Sequence, residues 1–100
     1  MKKRELIAKH REAILALAAK HGATDVRIFG SVARGEDDEA SDVDVLVAFH
    51  GKTGIDAFAQ QFDLQEELSS LLECSVDVVS DHPFIRERFR RNIERDLMPL

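Results

Sequence analysis

Positions Ile7, His10, Ile14, Leu17 and His21 recur at alternating steps of three and four, with Leu6, Ala13 and Ala18 widening the stripe. That spacing predicts an amphipathic helix, and Gly22 stands where a left-handed residue would end it. His10 and His21 lie on this face and read as packed or half-exposed histidines rather than metal ligands. Val26-Arg27-Ile28-Phe29 is short, β-branched and aromatic, which predicts a strand that Gly30 breaks. A polar, acidic loop follows, up to the nearly all-apolar run Val43 to Phe49, a second strand expected to be buried on both faces.

Beyond a turn marked by Gly51 and Gly54, the residues from Ile55 to Leu72 again follow the helical period. Phe58, Phe62, Gln65, Leu68 and Leu72 form the expected inner face, beside Leu64 and Leu71. Ser75 to Val79 reads as a third strand. Pro83 is placed to open a last helix, with Phe84, Ile85, Phe89, Ile93 and Leu97 on its apolar side and arginines opposite. The order is therefore helix, strand, loop, strand, helix, strand, helix, without repeat, linker or low-complexity tract. One domain over residues 1–100 is the expectation. About a dozen residues separate the first two strands, so the end of one can lie beside the start of the next.

Composition narrows the functional classes. Hydrophobic content of 44% with 33% charged residues fits a folded soluble chain. Its small core leaves room for a stabilising partner, as a homo- or hetero-oligomer. The net charge of −5 disfavours direct nucleic-acid binding, since the phosphate backbone would be repelled. Glu36, Asp37, Asp38, Glu39, Asp42 and Asp44 crowd one stretch and read, from Glu36 to Glu39, as a solvated loop. Basic residues lie at the start (Lys2, Lys3, Arg4) and near the end (Arg86, Arg88, Arg90, Arg91, Arg95). Cys74 is alone, which points to a reducing compartment. No apolar stretch is long enough to span a bilayer. The basic start resembles a signal peptide only until Glu5, Lys9, Arg11 and Glu12 interrupt it, so a cytoplasmic location is expected.

Two features meet at the junction of the first two strands. Gly30-Ser31 follows a strand directly; glycine allows close backbone approach, and the free N–H groups of the next turn, with the Ser31 hydroxyl, can hold an anion. A plain turn has the same signature. The second feature is Asp42-Val43-Asp44, whose carboxylates, two residues apart on a strand, project to one face. Asp77 stands within the third strand between Val76 and Val78, where it is expected to be enclosed, and an enclosed acid is costly unless compensated. Carboxylates about 4 Å apart repel by roughly 4 kcal/mol at an effective dielectric near 20. Three that converge need a shared proton or a cation, and hard divalent cations prefer oxygen ligands. Gly30 to Gly35 is no P-loop, because Glu36-Asp37 stands where Lys-Ser/Thr is required. An EF-hand starting at Asp37 fails as well: Asp42 replaces the turn glycine and Ala48 the bidentate acid.

Taken together, Gly30-Ser31, ten residues and then Asp42-Val43-Asp44 resemble the signature of the DNA polymerase β-like nucleotidyltransferase superfamily. More closely, Phe29 to Glu36 (FGSVARGE), Ser41-Asp-Val-Asp44 and Val76-Asp-Val-Val79 resemble the minimal nucleotidyltransferases, the MntA-like antitoxins of HEPN/MNT toxin–antitoxin modules. The resemblance implies an α+β nucleotidyltransferase fold: a small mixed β-sheet flanked by helices, in the order α-β-β-α-β-α, with a short helical turn after the first strand. It implies that Gly30 and Ser31 hold the triphosphate of ATP, with Arg34 contacting phosphate or pairing with the acidic loop. Asp42 and Asp44 would bind two Mg²⁺ ions, and Asp77 would complete the metal site and help deprotonate the acceptor hydroxyl. The implied partner is a HEPN-domain toxin, with AMP transferred to one of its tyrosines.

Two other functions compete with that one. A chain with a vestigial site could neutralise its partner by contact alone. The same chemistry could also serve an RNA 3′ end or a small molecule such as an aminoglycoside. The acidic charge disfavours the RNA, and the lack of an added acceptor domain disfavours the small molecule.

Overall fold

A computed structural model of the chain describes residues 2–38, 40–49, 54–81 and 97–100. The expected N-terminal helix starts earlier and is interrupted, forming α1 (Lys3–Lys9) and α2 (Arg11–Lys20). His10, half-exposed between them, leaves helical geometry at φ −103° and ψ 15°. The hydrogen bonds His10 N–H to Leu6 O and Ile14 N–H to His10 O, at 3.1 and 2.9 Å, keep the two in line. One stripe therefore persists, and Ile7, Ile14 and Ala18 are all buried. Gly22, at φ 75°, ends α2 as the spacing predicts.

Strand β1 (Ala23–Phe29) leads into the five-residue helix α3 (Gly30–Arg34), and β2 (Val43–Phe49) returns antiparallel to β1. The nineteen-residue helix α4 (Gly54–Leu72) then crosses over to β3 (Val76–Ser80), which runs parallel to β2. A crossover of this length is what a parallel pair requires. A two-residue strand β4 (Met98–Pro99) pairs with Arg27 and Ile28, giving the mixed order β3-β2-β1-β4. Sequence periodicity could not reveal so short a strand, and it placed Leu97 on a helix where the structure has irregular chain. The rest of that expected helix, from Pro83 onward, lies outside the described residues.

Alternation along the strands separates two faces. Val43, Val45 and Val47 join Val26, Ile28, Val76 and Val78 in a core with Leu64, Leu68 and Leu72 of α4. Leu46 points to the other face and is only 1% exposed, so β2 is buried on both sides as expected. The inner face of α4 holds Gln65, Leu68 and Leu72 as expected, but Phe58 and Phe62 are exposed, and Gln61 and Ser69 join Gln65 against the sheet. Gln61 Nε2 donates to Val78 O at 2.7 Å, while the N–H groups of Val78 and Val76 donate to Gln65 Oε1 and Ser69 Oγ at 2.9 and 3.3 Å. A polar stripe at helical spacing thus satisfies the free side of β3, where an unpaired edge would invite aggregation.

His21 ties α2 to α4. Its Nδ1 donates to Gln60 Oε1 and its Nε2 to Glu67 Oε2, both at 2.7 Å, and Lys20 Nζ meets Glu67 Oε1 at 3.0 Å. Both ring nitrogens face acceptors, so the imidazolium is favoured. Burial opposes that charge, but the bonds to Glu67 and Gln60 and the Glu67 charge outweigh it and raise the His21 pKa above 6.5. The Glu67 carboxyl is lowered below 4.5, first by the His21 bond and then by Lys20. The His21 contribution is complete below pH 6.5 and disappears as pH rises through the higher folded value. The Glu67 contribution is complete above pH 4.5 and disappears as pH falls through its depressed value. His21→Ala should therefore cost about 2 kcal/mol near pH 6, as expected for charged hydrogen bonds. The gap in thermal midpoint from the parent should narrow toward pH 9; a gap independent of pH would mean that the ring is neutral.

Candidate active site

The site is built where β1 hands over to α3. Phe29 closes β1 in extended geometry, and Gly30 turns the chain at φ 77°, a region that costs other residues strain. A Cβ on Gly30 would collide with the carboxylate of Asp44, so the glycine makes room for the acid as well as for the turn. Val32, wholly buried, fixes α3 to the core. Half-buried Ser31 lies in the first turn, and a second left-handed glycine, Gly35 at φ 75°, ends the helix.

Pairing places the acids. Phe29 is opposite Asp44 across the antiparallel ladder, so the end of β1 does meet the start of β2. Asp44 is opposite Asp77 in the parallel ladder, and residues so paired project to the same face. Asp42 stands exposed, one residue before β2. Burial pushes the half-buried Asp44 up to about 6; the negative charges of Asp77 and Asp42 add to that, and Arg34 opposes it. All three acids therefore share one electrostatic neighbourhood. Asp77 is exposed, not enclosed as its valine neighbours suggested, because alternation sends Val76 and Val78 to the core and Asp77 to the opposite face.

Among the described residues no three acidic, histidine or cysteine side chains approach closely enough to form a closed metal cage. What the strands do present is Asp44 and Asp77 in register on one face, with Asp42 exposed just before β2. Oxygen donors of this kind suit a hard cation that takes one or two carboxylates and completes its shell with phosphate oxygens and water. Arg34 pairs through Nε with Glu36 Oε2 at 2.9 Å, the acidic-loop contact expected as one of its two roles. A more distant acid on the same face, Asp81, pairs with Arg27 at 2.9 Å.

The acidic loop was expected to be solvated, and Asp37 departs from that. It is only 5% exposed, and its Oδ2 accepts the Lys3 backbone N–H at 3.1 Å. That bond holds its pKa below 3.8, and the charges of Lys2 and Lys3 act in the same direction. The signal available in the sequence was the match between a basic start and an acidic loop, which charge separation along the chain disguised.

Comparison with known proteins shows the family and the fold. A family model described as nucleotidyltransferase domain matches residues 7–99. A candidate protein adenylyltransferase of Methanocaldococcus jannaschii is 34% identical over 95 residues, covering 95% of this chain and 91% of its own length. A solved candidate minimal nucleotidyltransferase superposes with TM-score 0.75 at 44% identity, covering 96% of this chain and 94% of that one. A complex of a tri-AMPylated Shewanella oneidensis HEPN toxin with MNT antitoxin shares the fold at 16% identity and TM-score 0.63, covering 92% of this chain and 69% of that one. No helix among the described residues is long and apolar enough to cross a membrane.

Proposed function

The chain belongs to the nucleotidyltransferase domain family, and from that premise we propose that it transfers AMP from ATP to a tyrosine hydroxyl of a HEPN-type toxin, acting as its antitoxin in the cytoplasm. The observation that carries this reading is Asp44, set against Gly30, paired in register with Asp77 and repelled by the charge of Asp42. Support for a protein acceptor comes from the Methanocaldococcus jannaschii relative, described as a protein adenylyltransferase. Support for the toxin comes from the Shewanella oneidensis complex, in which the HEPN partner carries AMP.

In this reading Asp42 and Asp44 would hold Mg²⁺, which would supply neutralisation of charge at the transferred phosphorus and activation of the nucleophile. The N–H groups of the turn at Gly30 and Ser31 orient the triphosphate, and Arg34 exchanges its Glu36 contact for phosphate. Asp77, exposed beside Asp44, accepts the proton of the acceptor hydroxyl. The acceptor oxygen forms a bond to the α-phosphorus as the bond to the bridging oxygen breaks, and pyrophosphate leaves. The exposure of Asp42 and Asp77 leaves this face accessible to an acceptor carried by another protein.

The test is incubation of the chain with its partner, Mg²⁺ and ATP labelled at the α-phosphate. The expected result is label on the partner and a mass gain of one or more AMP groups, with loss of toxin activity. Neutralisation without a mass change would establish inhibition by contact instead, and label recovered in RNA would reassign the acceptor.

A further inference from the structure

The loop between α3 and β2 carries Asp42 but has no regular backbone structure around Asp37, so other contacts must set where that carboxylate stands. The start of the chain supplies them. Besides the bond from the Lys3 N–H to Asp37 Oδ2, Lys2 Nζ donates to the Asp37 carbonyl at 3.0 Å and Lys3 Nζ to the Asp38 carbonyl at 2.7 Å. From Asp38 the bonding continues toward the site. The Asp38 N–H donates to Ser41 Oγ at 2.9 Å, the Ala40 N–H to Asp38 Oδ1 at 2.9 Å, and the Ser41 N–H to the Asp38 carbonyl at 3.2 Å. Hydrogen bonds therefore run from the start of α1 to Ser41, the residue directly before Asp42 in the chain.

Asp37 is tied through one oxygen only: Oδ2 takes the Lys3 N–H, while its Oδ1 is buried without a hydrogen-bond partner among the described residues. An unpaired buried polar atom is costly, and a loop left in solvent would not incur that cost. We propose that Asp37, clamped by Lys2 and Lys3, is a positioning residue that fixes the loop so that Asp42 stands beside Asp44 for a shared cation. A loop ordered before the cation arrives spares binding the entropy of fixing its ligand.

The inference rests on the metal reading above, and its test separates the two. Mn²⁺ binding to the full chain is measured by electron paramagnetic resonance with a non-hydrolysable ATP analogue present. Asp37→Ala should weaken Mn²⁺ binding by about tenfold, the effect usual for such supporting residues, while circular dichroism shows a folded chain. Asp37→Asn keeps an oxygen for the Lys3 N–H and should recover most of the binding. Ser41→Ala, which breaks the run nearer Asp42 and leaves Asp37 in place, should weaken binding in the same direction and serves if Asp37→Ala does not fold. A lower thermal midpoint with parental Mn²⁺ affinity would overturn the positioning role. A parent chain that takes up no Mn²⁺ with the nucleotide would overturn the metal reading beneath it.

Discussion

Asp44→Asn should reduce nucleotidyl transfer by about 10³-fold, a loss of about 4 kcal/mol of transition-state stabilisation, and should at the same time stabilise the metal-free protein. Both effects have one cause. Burial, Asp77 and Asp42 raise the Asp44 pKa from 3.8 to about 6, so its charge is held at a cost that a cation would remove. The full separation corresponds to about 3 kcal/mol, and solvent screening of a half-buried group reduces it to about 1–2 kcal/mol. Because the folded pKa lies above the unfolded one, the folded state binds more protons between pH 3.8 and 6, and stability falls as pH rises across that window. The asparagine variant has no such titration. Its thermal midpoint should match the parent near pH 4, exceed it by several degrees above pH 6, and fall below it once Mg²⁺ and nucleotide are added. Calorimetry across pH with and without the ligands checks this. An asparagine variant less stable than the metal-free parent at pH 7 would show that the acids do not repel one another.

Which parts of this site could be read from the sequence follows from how local each determinant is. The glycine-serine turn after a strand and the Asp-Val-Asp spacing are local, and their meeting followed from the short loop between two strands. Register is not local, yet it settles the arrangement: Asp44 faces Phe29 on one side and Asp77 on the other. The exposure of Asp77 was misread because a run of valines looks the same whether both faces of a strand are covered or only one. Helical spacing places Gln65 inward, as the structure has it, but hydrophobicity also sends Phe58 and Phe62 inward, whereas Gln61 and Ser69 take the sheet side through bonds that no hydropathy scale records. Asp37 was missed for a related reason. Its partner is a backbone N–H some thirty-four residues earlier, and periodicity carries no information on such a contact.

Gly30→Ala should be nearly as damaging to transfer as the loss of an acid, and a second glycine supplies its control. Gly30 and Gly35 flank α3 with φ of 77° and 75°, so alanine at either position costs similar backbone strain, about 1–2 kcal/mol. What a new methyl group meets is different. At Gly35 the nearest neighbour is the Arg4 guanidinium at 3.7 Å, an ordinary contact with a flexible group. At Gly30 it meets the carboxylate of Asp44, which is held by its strand and must shift. Displacing a reacting group by about 1 Å costs on the order of 10²-fold in rate. Gly30→Ala should therefore lose about that much transfer activity, and Gly35→Ala should keep most of it at a similar drop in thermal midpoint. The comparison isolates the contact between turn and acid from the strain common to both positions. Equal activity in the two variants would mean that Asp44 tolerates displacement, and the close approach of Gly30 to its carboxylate would then be a packing detail without catalytic consequence.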